Sequence, residues 1–140
     1  LSSIPYLVKL INSSYYEQIK ECISILSNTN HDVRKSLFLN SMIDYLVNDP
    51  SVKAIDCLSE VIRYYKSRDL SPRIQEILSK IKVFLDDESA IARKSAVRLI
   101  VQLRLSIGKV FDGEINKISS IHQKLVKYYL AKEQCSSTSS

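Results

Sequence analysis

The chain has 140 residues, of which 45% are hydrophobic and 25% are charged, with only two glycines and three prolines. This length suits about one domain, and the scarcity of glycine and proline leaves few turn residues for a many-turned β fold and favours helices. The formal net charge of +5 permits an acidic partner, although the absence of long blocks of like charge is typical of solvated helix faces. No run of 18 apolar residues and no basic-then-apolar amino terminus occurs, so the sequence predicts neither a membrane span nor a secretion signal.

The cysteines indicate a cellular compartment, and the first residue indicates a longer parent protein. Cys22, Cys57 and Cys135 form no CxxC pair, and the first two lie in apolar helical segments, where cysteine behaves as a small hydrophobe. This usage favours a reducing, intracellular compartment. Because the chain begins at Leu1 and not at methionine, we expect it to be part of a longer protein.

Apolar residues recur at positions i, i+3, i+4 and i+7, a spacing that places four side chains on one stripe of a helix. Five successive stripes follow this template: Ile4, Leu7, Val8, Ile11; Ile19, Cys22, Ile23, Leu26; Leu39, Met42, Ile43, Leu46; Leu58, Val61, Ile62, Tyr65; and Ile74, Ile77, Leu78, Ile81 with Leu85. The segment 90–107 is apolar on more than one face, so we expect it to lie between neighbours at the centre of the core.

The carboxyl-terminal part predicts one more helix and a tail. Ser120 with Gln123 three residues later predicts a capping box. The helix it opens has an apolar stripe of Ile121, Leu125, Tyr128 and Tyr129. Residues 135–140, rich in serine, have nothing to bury and are predicted to form a disordered tail. The chain therefore divides into a single helical domain, 1–134, and this tail.

Short polar segments separate the predicted helices, at 12–14, 27–30, 48–51, 69–72 and 86–89. Pro50 and Pro72 suit the first turn of a helix, with Asp49 and Ser71 as predicted N-caps. Because the connections are only a few residues long, consecutive helices are expected to run antiparallel.

The helix pairs repeat along the chain. Equivalent positions in the second helix of each pair are Cys22, Cys57 and Val97, which are 35 and 40 residues apart. Two helices per unit and a period near 40 are typical of HEAT and armadillo arrays, whereas tetratricopeptide repeats have a 34-residue period and characteristic aromatic and glycine positions. We therefore predict an all-α, HEAT-repeat (TOG-like) α-solenoid of about three antiparallel helix pairs and a closing carboxyl-terminal helix.

The residues give little support to an enzyme, a metal site or a cofactor site. His31 lies beside Asp32 in a turn, where it suits helix capping, and His122 has no second ligand near it in the sequence. With two glycines, no phosphate-binding glycine loop can be formed. The acidic run 86–88 lies in a turn, where hydration and helix capping are its ordinary roles. We therefore predict no enzyme activity, no cofactor and no metal.

Basic and aromatic residues give the candidate partner-binding positions. From Arg63 to Lys109 there are eleven Lys or Arg residues against five acids. Two hypotheses use them: capture of a partner segment by a face of the stack, and nucleic-acid binding through phosphate contacts and stacking. The second is less favoured because several tyrosines fall on apolar stripes, where packing is their ordinary role. The positions concerned are Arg93, Lys94, Arg98, Arg104, Tyr64 and Tyr65.

The third unit resembles a known family. Residues 86–101 (DDESAIARKSAVRLIV), 106–108 (SIG) and 124–134 (KLVKYYLAKEQ) resemble the last HEAT-like domain of the CLASP family of microtubule-associated proteins. That domain closes with an acidic-serine turn, a VRKA-like helix start, a glycine and a KLLNLYIKRAQ-like helix. The resemblance covers about the last 50 residues and is only architectural before them. The abundance of Asn, Ser, Ile, Lys and Tyr is similar to that of a budding-yeast member.

The resemblance implies a non-enzymatic docking domain of a longer protein with TOG-like domains. Its expected partners are adaptor proteins at kinetochores, the spindle midzone or microtubule plus ends, which places the protein on the cytoskeleton and mitotic spindle of the cytoplasm and nucleus. Arg93 and Lys94 match the family's arginine-lysine, with Ala92 in place of the usual valine. The final helix matches at four positions and departs from the family at Val126 and Lys127. The matching positions are Lys124, Leu125, Tyr128 and Lys132.

Two further expectations concern self-association and tubulin. Homodimerisation is an alternative function, through exposed apolar residues such as Tyr15, Tyr16 or Tyr128. TOG domains that bind tubulin typically use a tryptophan and basic residues in their intra-repeat turns, and this chain has no tryptophan. Its turns at 12–14, 48–50 and 86–88 are polar or acidic. Tubulin's surface is also acidic, and like charges repel, so we expect no direct binding of free tubulin.

Overall fold

The computed structural model describes residues 32–138, with side chains from Lys35 to Gln134. Within this range every regular element is helical, which confirms the all-α class. The predicted stripes at 4–11 and 19–26, and the residues Cys22, Tyr15, Tyr16 and His31, lie outside the described residues. The helices are α1 (Asp32–Asn48), α2 (Val52–Ile62), α3 (Ser67–Leu70), α4 (Ile74–Ile81), α5 (Ala90–Ile107), α6 (Asp112–Ile115) and α7 (Ser120–Thr138), with 3₁₀ turns at Ser71–Arg73, Lys82–Asp86 and Lys109–Phe111.

Helix α5 lies at the centre of the core, as its sequence predicts. It contacts α2 and α7, and it also contacts the 3₁₀ turn that continues α4. Its buried residues cover more than one face and include Ala96, Leu99, Ile100, Val101 and Leu103. A helix that is apolar on several faces is stable only between neighbours, so α5 fixes where α2 and α7 can pack.

The predicted apolar stripes of α1, α2 and α4 are confirmed. The four predicted stripe positions of α1 are buried: Leu39, Met42, Ile43 and Leu46. The four positions of the next stripe, in and just after α2, are buried as well: Leu58, Val61, Ile62 and Tyr65. In and after α4, Ile77, Leu78, Ile81 and Leu85 are buried, while Ile74 is partly buried against the same cluster. Cys57 lies in this core, and burial, followed by the nearby Asp56 carboxylate, raises the pKa of its thiol to about 12. Cys57 therefore behaves as the small hydrophobe that the sequence predicts.

No helix between residues 32 and 138 has both the length and the hydrophobicity that a bilayer span requires.

Two predicted N-caps of the middle helices are wrong. The N-cap of α2 is Ser51 and not Asp49, because the Ser51 hydroxyl accepts the backbone N–H of Ala54 at 3.1 Å. Pro50 therefore precedes the cap. Ser71 begins a 3₁₀ turn that contains Pro72, and its hydroxyl donates to the Ser67 carbonyl at 2.7 Å instead of capping α4.

The last helix also differs from its prediction. Ser119 precedes it and caps it, since its hydroxyl accepts the N–H of His122 at 3.3 Å, whereas the prediction placed this role at Ser120. The Gln123 side-chain amide donates to the Ile118 carbonyl at 2.7 Å. The helix continues to Thr138, four residues beyond the predicted domain boundary at 134.

Of the four residues predicted for the buried stripe of α7, only Tyr129 packs against the core. Val126 is fully buried, and Tyr129 and Leu130 pack against the core. The residues Ile121, Leu125 and Tyr128, which the sequence places on the inner stripe, are exposed. Because α7 is apolar on two faces, the period alone could not decide which face α5 covers.

Arg73 links α4 to α1 through a set of polar contacts. Its guanidinium donates to the backbone carbonyl of Asn40 at 3.1 Å and forms ion pairs with Asp44 at 2.6 Å and Glu76 at 2.8 Å. The hydrogen bond from Arg73 lowers the pKa of the Glu76 carboxyl. Only 19% of the Arg73 side chain is exposed, so these bonds lie partly shielded from solvent.

Substitution Arg73→Ala is expected to lower the free energy of unfolding by about 1–3 kcal/mol, because it removes the charge-assisted bonds to Asn40, Asp44 and Glu76. Urea denaturation followed by circular dichroism measures the change. The control is Arg68→Ala, since Arg68 is 77% exposed and lies 4.0 Å from its partner Asp69; its effect should stay below about 0.5 kcal/mol. Equal effects of the two substitutions would contradict the structural role of Arg73.

Candidate functional site

A groove open to solvent follows the seam between α5 and α7. It consists of three adjoining cavities of about 250, 340 and 520 Å³. The first two share Lys94 and Tyr129, and the last two share Gln102 and Glu133. From Ala90 to Gln102 the groove follows α5 for about 18 Å, at 1.5 Å per residue. We call it the α5–α7 groove.

The floor of the α5–α7 groove is apolar and is formed by packed helices. Val97 and Val101 of α5 are buried and form its base, and Tyr129 of α7 lies across from them. Tyr129 also packs edge-to-face against Tyr128, with ring centroids 5.3 Å apart. The groove is therefore already formed between packed helices, an arrangement typical of binding sites that need little reorganisation.

Cations line one side of the groove over most of its length. Lys94 and Arg98 follow each other by one helical turn on α5, and Arg63 and Lys66 line the end near the carboxyl terminus of α2. Glu133 on α7 is the acid that faces them across the groove. An extended or helical segment with acidic side chains would complement this rim.

Three of the predicted cations of α5, Arg93, Lys94 and Arg98, lie in different electrostatic environments. Arg93 donates to the backbone carbonyls of Asp87, at 2.5 Å, and Glu88, at 3.0 Å. It therefore holds the turn before α5 through main-chain oxygens and not through the carboxylate pairing considered from the sequence. Arg98 pairs with Glu60 of α2 at 2.5 Å. In the described part of the chain Lys94 has no ion pair, so its charge is directed to solvent at the groove.

The other predicted site residues lie in three places. Tyr64 is 44% exposed in the turn after α2. Tyr65 is mostly buried, and its hydroxyl donates to the Lys35 carbonyl at 2.7 Å, so it mainly joins α2 to α1. Lys124 and Tyr128 lie exposed on α7. The structure thus brings Arg93, Lys94, Arg98 and Tyr65 to the lining of one groove, whereas Tyr64 lies apart from it.

An acidic turn closes the amino-terminal end of the groove. Asp86 lies 3.5 Å from Nε2 of His122, whose Nδ1 lies 2.8 Å from the Ser119 hydroxyl. Asp86 is 83% exposed at its side chain, and the Ser119 hydroxyl is engaged as the cap of α7. These contacts join the turn to α7. No group of three potential metal ligands occurs among residues 32–138.

Sequence reasoning missed several residues of the groove. Tyr129 was assigned only to packing, and Gln102 and Glu133 were not considered at all. They meet Lys94 and Arg98 only because α5 and α7 pack side by side, a contact between segments that the local sequence pattern does not specify. The excess of cations between Arg63 and Lys109 was the one signal that pointed to this surface.

Neither the models of known protein families nor the curated proteins give a match to this sequence. The functional proposal therefore depends on the geometry of the α5–α7 groove and on the resemblance of the last residues of the chain.

Arg98 and Lys94 are expected to differ in their effect on stability. Substitution Arg98→Glu places a second carboxylate beside Glu60, of which only 18% is exposed, and should lower the free energy of unfolding by about 1 kcal/mol. Substitution Lys94→Glu should change it by less than about 0.5 kcal/mol. Urea denaturation of the two variants measures both values. A Lys94→Glu variant that is the less stable of the two would contradict this assignment.

Proposed function

We propose that this chain is a non-enzymatic protein-interaction domain, which docks adaptor proteins in a microtubule-associated protein of the CLASP type. The observation that carries the proposal is the α5–α7 groove, which combines an apolar floor with a cationic rim on rigid helices. A preformed groove of this kind can hold a helical or extended segment without first ordering itself.

The resemblance of residues 86–134 to the last CLASP domain supplies the biological setting of the proposal. We place the partner among adaptor proteins of the kinetochore, the spindle midzone or the microtubule plus end. The domain then recruits the parent protein to these sites in the cytoplasm or nucleus, and other parts of that protein act on the microtubule.

The finer architecture of the proposal is a HEAT-type stack of helix pairs. Three observations support it. The Tyr65 hydroxyl joins the end of α2 to the start of α1, as in an antiparallel hairpin. Arg98 and Ser106 of α5 contact Glu60 and the Ile62 carbonyl of α2, in the same order along both helices. Helix α1 contacts α4, and α2 contacts α5, so first helices pack on first helices and second helices on second helices.

The proposal predicts that a single charge reversal in the groove weakens partner capture. The immobilised domain is exposed to extract of mitotic budding-yeast cells, and retained proteins are quantified by mass spectrometry. Spindle or kinetochore proteins should be retained and should fall by at least about fivefold with Lys94→Glu, because a buried or groove-facing charge contact is worth about 1 kcal/mol or more. Raising the salt concentration should also weaken retention.

The matched control is Lys109→Glu, which makes the same charge change on an exposed lysine outside the groove. Retention on this variant should equal that on the unmodified domain. If no spindle or kinetochore protein is retained, the docking function is wrong; if the two variants behave alike, the groove is not the site.

The proposal also predicts that the isolated domain does not bind free tubulin. The turn between α1 and α2 presents Asn48, Asp49 and Pro50 to solvent, and the turn before α5 presents an exposed Asp86 beside Glu88. These surfaces offer no cation to tubulin's acidic surface. Sedimentation or interferometry with purified tubulin should show no complex, and a salt-sensitive complex of micromolar affinity would refute the expectation.

A further inference from the structure

The outer face of α7 carries an exposed apolar stripe. Ile121, Leu125 and Tyr128 are 70%, 41% and 55% exposed, respectively. Their spacings of four and three residues place them in one line along the helix. An adjacent face of the same helix already uses Val126, Tyr129 and Leu130 for the core, so this stripe is a second apolar face that is largely exposed.

This stripe lies on the last described helix of the domain. Here the outer face exposes three large apolar side chains in a row. Such a surface is typical of an interaction site.

Cations flank the stripe. Lys124 and Lys127 are exposed on one side of it, and the Lys132 ammonium lies 5.1 Å from the centre of the Tyr128 ring at its end. On the other side the stripe meets the groove, since Ile121 and Leu125 line the same cavity as Lys94. The one acid within Ser120–Gln134 is Glu133, which faces the far end of the groove.

We propose that the outer face of α7 binds an acidic amphipathic helix, whose apolar residues pack on Ile121, Leu125 and Tyr128 and whose carboxylates meet the flanking lysines. The inference rests on the proposed docking function and names the chemistry of the partner. The alternating spacing of four and three is the spacing that packs side chains of one helix between those of another. Because the flanking side chains are positively charged, the partner helix carries negative charge.

A second copy of this chain fits the same face less well. A symmetric pair of α7 helices would bring Lys124, Lys127 and Lys132 towards the same lysines of the other copy. Like charges across an interface disfavour association and act against wrong partners. An acidic helix removes this repulsion and converts each lysine into an attractive contact.

The test is selection from a displayed library of helical peptides with randomised surface positions, using the whole 140-residue chain as bait. Selected peptides should be rich in Asp and Glu and should carry apolar residues at i, i+3 or i+4, and i+7. Their affinity, measured by fluorescence anisotropy, should fall at least tenfold with Leu125→Glu. The control Val110→Glu, at a position that is 88% exposed outside this face, should leave the affinity unchanged, and circular dichroism should show both variants folded.

A second variant tests the charge separately. Lys124→Glu combined with Lys132→Glu keeps the apolar stripe and reverses its flanks, so it should reduce binding of the acidic peptides by at least fivefold. Absence of any binder, selection of basic or uncharged peptides, or indifference to Leu125→Glu would each overturn the inference. A dimer in light scattering that disappears with Leu125→Glu would assign the face to a second copy and overturn it as well.

These outcomes separate the inference from the proposed function. If extract capture succeeds and depends on Lys94 but not on Leu125, docking stands and the acidic helix on α7 is wrong. If acidic peptides bind through Leu125 but no spindle or kinetochore protein is captured, the face binds as inferred and the proposed function is wrong.

Discussion

The burial of α5 between α2 and α7 is the constraint on which the rest of the structure depends. A helix with apolar residues on several faces exposes a large unfavourable surface unless neighbours cover it. Coverage by α2 fixes one side, and coverage by α7 fixes the other. The fully buried Leu99 and Leu103 show how completely this helix is removed from solvent. The groove exists because α7 meets α5 along a line and leaves the outer part of the seam open.

Helix α7 has one face that packs on the core and another that is exposed to solvent. Its inner face supplies Val126 to the core, while its outer face presents Leu125, the neighbouring residue in sequence, to solvent. The fold buries Val126 and leaves 41% of Leu125 exposed, so the two neighbouring residues serve different faces of one helix.

The single apolar faces of α1, α2 and α4 and the central position of α5 could be predicted from the sequence, but the buried face of α7 could not. The stripes of α1 and α4 are correct because each has a single face to bury. The stripe of α7 is wrong because two faces satisfy the same period. The N-caps at Ser51 and Ser119 differ from the predicted residues because each hydroxyl competes with polar neighbours for the same backbone N–H groups. The groove depends on contacts between helices that are distant in sequence, so only its cations were visible in advance.

The number of cations in a sequence overstates the charge that is available to a partner. Arg93 is committed to the carbonyls of the turn before α5, and Arg98 is paired with Glu60. Arg104, a further cation of the basic segment, pairs with Asp112 at 2.7 Å and is mostly buried. What remains at the groove is Lys94 and, at its other end, Lys66, with Lys124 on the neighbouring face. Recognition by so few charges cannot come from electrostatic attraction alone, because exposed pairs contribute little. In the complex that we propose, the apolar floor at Val97 and Tyr129 and the stripe at Leu125 would therefore supply most of the affinity, and the lysines would favour a negatively charged segment.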